Sequence, residues 1–118
     1  YFKDIIHTNS IMTSSAVIDT KLISKIYMPN LKRRQDWAFW MTLLKQNKSF
    51  KAFCIQTPLS VKVENQNSLS SNRISSVYYN FLALSLYGNV SHHKAFKLIT
   101  FNLLRVLFRR IKAGLFYL

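Results

Sequence analysis

A chain of 118 residues suffices for one small domain and is too short for a complete two-sided enzyme of most α/β classes. Its 49% apolar content, with only two glycines and two prolines, excludes a disordered or low-complexity chain. Seventeen Lys and Arg against four acidic residues give a formal net charge of +13, which favours phosphates, anionic lipid or nucleic acid as partners over cationic ligands.

The chain opens on Tyr1 rather than Met, and its first run, Tyr1 to Ile6, reads as the continuation of a longer chain. It lacks a basic-then-apolar signal pattern at its start. No stretch reaches the roughly 18 uninterrupted apolar residues of a membrane span; Leu98 to Phe108 comes nearest and is broken by Asn102 and Arg105.

After the polar run His7 to Ser10, the Ser, Thr, Ile and Val content of Ser10 to Ile18 predicts a short strand. Asp19 or Thr20 is then placed to cap a short helix over Lys21 to Ile26, which Met28-Pro29 must end because the residue before proline leaves the α region. A basic loop follows, Lys32-Arg33-Arg34. From Gln35 to Gln46, Trp37, Trp40, Met41, Leu43 and Leu44 recur at spacings of three and four, which predicts a helix with one apolar face.

Phe50 to Ile55 and Leu59 to Val63 predict two short strands around a turn at Thr57-Pro58. The single cysteine, Cys54, lies in the apolar run Ala52-Phe53-Cys54-Ile55 and is expected to be a buried, reduced thiol, which fits a reducing cytosolic setting. Beyond the polar loop from Asn65 to Asn72, Ser75 to Tyr87 predicts a second helix with Gly88-Asn89 as its stop. A last helix starts near Ser91. Advancing about 100° per residue, it gathers Lys94, Lys97, Arg105, Arg109 and Lys112 on one side and Phe96, Ile99, Leu103, Leu104, Val106, Leu107 and Ile111 on most of the other.

The chemically informative cluster is Arg33-Arg34-Gln35-Asp36-Trp37-Ala38-Phe39-Trp40, a lone carboxylate behind a basic loop at a helix's first turn. The helix dipole and free backbone N–H groups favour a carboxylate there. Local chemistry leaves two roles open for Asp36: a cap paired with Arg33 or Arg34, or an acceptor of a proton from a sugar hydroxyl.

This segment resembles the acidic helix of the family 2, GT-A type glycosyltransferases, in which Asp is followed by an aromatic residue and by Trp four positions on, as in Asp36, Trp37 and Trp40. Ile11 to Asp19 resembles the strand and turn that precede it in that family. Thr57 to Lys62, followed by Asn67 to Asn72, resembles the family's late strand and Ser-x-Ser loop. The likeness covers Asn9 to Tyr79 and is strongest to bacterial transferases that build capsular or lipopolysaccharide glycans.

The resemblance implies an α/β fold, specifically the acceptor-side half of a GT-A domain, with short strands and about four helices and without the nucleotide-binding half. Residues 1–90 would form that acceptor-side, base-bearing part, and residues 91–118 a basic amphipathic helix. It implies an inverting sugar transfer from a nucleotide-sugar donor to a glycan or lipid-linked acceptor, in surface polysaccharide biosynthesis. Asp36 would be the base, and Arg33, Arg34, Gln35, Trp37, Lys62, Ser68 and Ser70 would bind acceptor or phosphate. A divalent metal, Mg or Mn, would steady the leaving diphosphate in the whole enzyme.

Two departures from the family's pattern stand out. Gln35 stands where an acidic residue is usual, and Val61-Lys62 stands for the usual Tyr-Arg, keeping the charge but losing Arg's planar fork. The family's metal-binding Asp-x-Asp has no counterpart: the other acidic residues, Asp4, Asp19 and Glu64, are unpaired. The chain alone is therefore expected to bind no metal and not to turn over. His7, His92 and His93 lack a third ligand at metal spacing and are expected to be structural or solvated.

Lys32, Arg33 and Arg34 suit either a diphosphate site or a solvated loop. Trp40 is expected in the core, with Trp37 open between core and sugar platform. The last helix suits a membrane interface or packing against the domain. An interfacial helix would place the enzyme in the cytoplasm, at the inner face of the cell membrane, near lipid-linked acceptors. Two other readings compete: a nucleic-acid-binding module, disfavoured as a partner class by the strongly apolar side of that helix, and a membrane-surface protein without catalysis.

Overall fold

The computed structural model describes residues 1–61 and 73–115. Its regular elements are all helical: α1 (Phe2–Ile5), a single 3₁₀ turn (Thr13–Ser15), α2 (Gln35–Lys45), α3 (Arg73–Tyr87) and α4 (His92–Leu115). Consecutive helices pack in a chain, α1 on α2, α2 on α3 and α3 on α4. The core fills the spaces between them with Ile5, Ile6, Leu31, Trp37, Trp40, Met41, Leu84 and Ile99, together with Ala38, Ala83 and Ala95, whose small side chains let the helices approach.

Helix α2 is the centre of this arrangement. Trp37, Ala38, Trp40, Met41, Leu43 and Leu44 are all buried on one broad face, as the spacing of the large apolar residues predicts. Each large side chain so buried contributes about 1.5–3 kcal/mol. The indole N–H of Trp37 donates to the carbonyl oxygen of Ile5 at 2.7 Å, which pins α1 to α2. At the far end, Asn47 closes the helix by accepting from the backbone N–H and hydroxyl of Ser49, at 2.9 and 2.8 Å.

The α3–α4 corner is built from Gly88, Asn89 and Ser91. The Gly88 N–H donates to the carbonyls of Ala83 and Leu84 at 3.2 and 3.0 Å, and Asn89 takes the left-handed conformation with φ 50°. Gly88 serves here by its small size: a Cβ would lie 2.6 Å from the Leu84 carbonyl oxygen. Ser91 then opens α4, its hydroxyl accepting from the Lys94 N–H at 3.4 Å.

The expected α/β architecture with short strands is overturned. Among the described residues there is no strand and no sheet. Residues 10–18 contain the 3₁₀ turn between extended stretches, and residues 50–61 run as irregular backbone. β-branched content favours a strand only where a neighbour pairs its N–H and C=O groups and covers one face. Here Val17 is 98%, Phe53 87% and Val61 92% exposed. The rest of the second predicted strand and the polar loop after it, with Val63 and Glu64, lie outside the described residues.

Two further expectations fail for related reasons. The helix over Lys21 to Ile26 does not form: Asp19 makes the capping contact, accepting from the Lys21 N–H at 3.0 Å, but only a turn follows. Six residues ending at a proline boundary add too few hydrogen bonds to offset nucleation. Cys54 is exposed rather than buried, because its apolar neighbours Phe53 and Ile55 are exposed with it.

Candidate functional site around Asp36

The loop entering α2 is shaped before any side chain acts. Leu31 is buried, and its N–H donates to the Pro29 carbonyl at 2.9 Å, so the chain folds back before the basic residues. Arg34 caps α2 in the left-handed conformation, φ 63° and ψ 21°, without a side-chain capping bond. For a residue other than glycine that conformation is strained by about 1–2 kcal/mol. It turns the chain sharply and sets Asp36 in the first turn, between the basic loop and the core.

The carboxylate of Asp36 is partly buried, and its Oδ2 accepts a hydrogen bond from the Asn9 side-chain amide at 2.7 Å. Asn9 is the partner of Asp36 that sequence reasoning missed. It sits in a polar loop 27 positions away, and no local pattern ties it to α2. Its own Oδ1 is buried without a hydrogen-bond partner. Asp36 is not the helix cap; that position belongs to Arg34.

The other predicted residues divide. Arg33 and Arg34 are half-buried and Gln35 is exposed, all in the turn next to Asp36. Trp37 is 4% exposed and bonded to Ile5, so its ring belongs to the core and presents no stacking platform at the surface. Lys62, Ser68 and Ser70 lie outside the described residues. Lys94, Lys97, Arg105, Arg109 and Lys112 are all exposed along α4, away from the α2 entry in sequence.

Two surface grooves lie elsewhere. One, of about 380 Å³, runs along α4 between Phe101, Leu104, Arg105, Phe108, Arg109 and Lys112. The other, of about 330 Å³, lies among Tyr1, Phe2, Lys3 and Lys48. Neither is lined by Asp36. Among the described residues, no three His, Cys, Asp or Glu side chains come together as a metal site.

No family model matches the chain, and no solved structure matches it. Over 72 residues, 61% of the chain, it is 35% identical to TuaG of Bacillus subtilis (strain 168), a protein named provisionally as a teichuronic acid biosynthesis glycosyltransferase. The matched stretch is 28% of that protein, so the chain spans little more than a quarter of its relative's length. The similarity relates the chain to a glycosyltransferase.

Proposed function

We propose that this chain is the acceptor-side, base-bearing segment of an inverting glycosyltransferase that moves a sugar from a nucleotide-sugar donor to a glycan or lipid-linked acceptor in surface polysaccharide biosynthesis. The observation that carries the reading is the joint one: 35% identity over 72 residues to a protein named provisionally as a teichuronic acid biosynthesis glycosyltransferase, and a single carboxylate held at the first turn of α2.

In this reading Asp36 accepts the proton of the acceptor hydroxyl as that oxygen bonds to the anomeric carbon. The carbon's bond to the donor's phosphate oxygen breaks in the same displacement, and the nucleoside diphosphate leaves with the electron pair. Asn9 holds one carboxylate oxygen, which leaves the other, Oδ1, to face the hydroxyl. Arg33 and Arg34 lie beside it and suit the diphosphate's charge. A base must be fixed within hydrogen-bond reach of the proton it takes, and the Asn9 bond restricts the Asp36 rotamer for that task.

The test is Asp36→Asn in the protein that contains this segment, assayed for transfer from nucleotide-sugar donors. Loss of a general base lowers turnover by about 10²–10⁴-fold, with the helix content unchanged by circular dichroism. Transfer at the unsubstituted rate would remove Asp36 from the mechanism.

A further inference from the structure

We propose that the outer face of α4 is a docking surface for an anionic lipid bilayer, on which the helix lies flat. The inference does not depend on the role of Asp36.

Helix α4 uses only part of its circumference and its length to join the domain. Ala95 and Ile99 are buried against the core, Leu98 is half-buried, and the Asn102 amide donates to the His7 carbonyl at 2.6 Å. At about 100° per residue these four positions share one side of the helix. Residues 103–109, 111 and 112 are all exposed.

What remains uncovered is apolar. Phe101, Leu103, Leu104, Leu107, Phe108 and Ile111 occupy the side turned away from the domain, and each is between 47% and 67% exposed. Contiguous apolar surface of this kind on a charged chain marks an interaction site. Arg105, Arg109 and Lys112 border it and share the groove with Phe101, Leu104 and Phe108. Cation and apolar ring therefore line the same trough.

Charge decides the occupant. The chain's four acidic residues, Asp4, Asp19, Asp36 and Glu64, all lie outside α4. A second copy docking through this face would oppose cation to cation. Nucleic acid would neutralise the cations and leave six large apolar side chains in water. An anionic bilayer takes both, phosphates meeting the basic border while the apolar side enters the acyl boundary. No described helix is long and apolar enough to cross a membrane, so the geometry is that of a helix lying on the surface.

The experiment is flotation of the full chain with vesicles of phosphatidylcholine alone and of phosphatidylcholine mixed equally with phosphatidylglycerol. The chain is expected to float with the mixed vesicles and to release as salt rises. Arg105→Gln with Arg109→Gln should weaken that binding by about fivefold per cation removed. Phe101→Ser with Phe108→Ser should abolish it while circular dichroism stays unchanged, since both rings are exposed. The proposal is overturned by no flotation with either vesicle, by undiminished binding by both double variants, or by a concentration-dependent dimer that the Phe101→Ser, Phe108→Ser variant dissolves. Retention of RNA by the chain without any vesicle binding would assign the face to nucleic acid and overturn it equally.

Discussion

The side-chain amide of Asn9 lies 2.7 Å from Oδ2 of Asp36 and joins two loops' worth of chain across 27 positions. Hydrogen bonds to a charged group contribute about 1.5–3 kcal/mol. Asn9→Ala should destabilise the chain by about that much, read from urea unfolding. In a double-mutant cycle with Asp36→Ala the two changes should couple by about 1–2 kcal/mol. Additive effects would show that the pair contributes nothing beyond its separate parts.

The two tryptophans of α2 make different demands. Trp37 donates its indole N–H to Ile5, whereas the indole N–H of Trp40 is buried without a partner. Replacement by Phe costs Trp37 its volume and its bond and leaves the Ile5 carbonyl unpaired; it costs Trp40 volume alone. Trp37→Phe should therefore be the more destabilising by about 1–3 kcal/mol, in thermal or urea denaturation. Equal losses would mean that the Ile5 bond adds no stability.

At the α3–α4 corner the expected hierarchy is between neighbours. Gly88→Ala pushes a methyl group into the Leu84 carbonyl and should cost about 1–3 kcal/mol. Asn89→Gly suits the same left-handed backbone and should stay within about 1 kcal/mol of the parent. Circular dichroism melts of the two variants distinguish them; a harmless Gly88→Ala would show that the corner can relax.

Cys54 is the chain's single thiol, and it is exposed. In the folded chain it should react with an aromatic disulfide reagent at a rate close to that in urea, because no unfolding step is needed to reach it. Reaction only after denaturant is added would mean that residues 50–61 are covered in solution.

Helices α2 and α3 were legible because apolar residues at spacings of three and four encode a buried face locally, without reference to any partner; α4 was legible from the same spacing, although most of its apolar side, Leu103 to Ile111, stays exposed. Their ends were legible too, through Ser91 and the Gly88-Asn89 pair, although the left-handed residue is Asn89 and Gly88 is required by crowding. The four-residue helix α1 gave no periodic signal; it forms where Ile5 and Ile6 meet α2. The strands were misread because Val17, Phe53 and Val61 carry strand propensity that only a neighbouring strand can realise. The same error misplaced Cys54, whose apolar flanks would be buried only under a covering layer. At the candidate site, Asp36 was visible from its place behind the basic loop. Asn9 was not, since a contact between a loop and a distant helix turn leaves no mark at either sequence position.

The burial of Trp37 beside Asp36 also gives the molecule a built-in optical probe. Both of its tryptophans lie on α2, one immediately following the carboxylate and both shielded from water. Intrinsic emission thus reports almost wholly on the seating of that one helix. Any binding event or substitution that loosens α2 from Ile5 would shift the spectrum to longer wavelength, and the proposed base could be watched through its neighbour without attaching a dye.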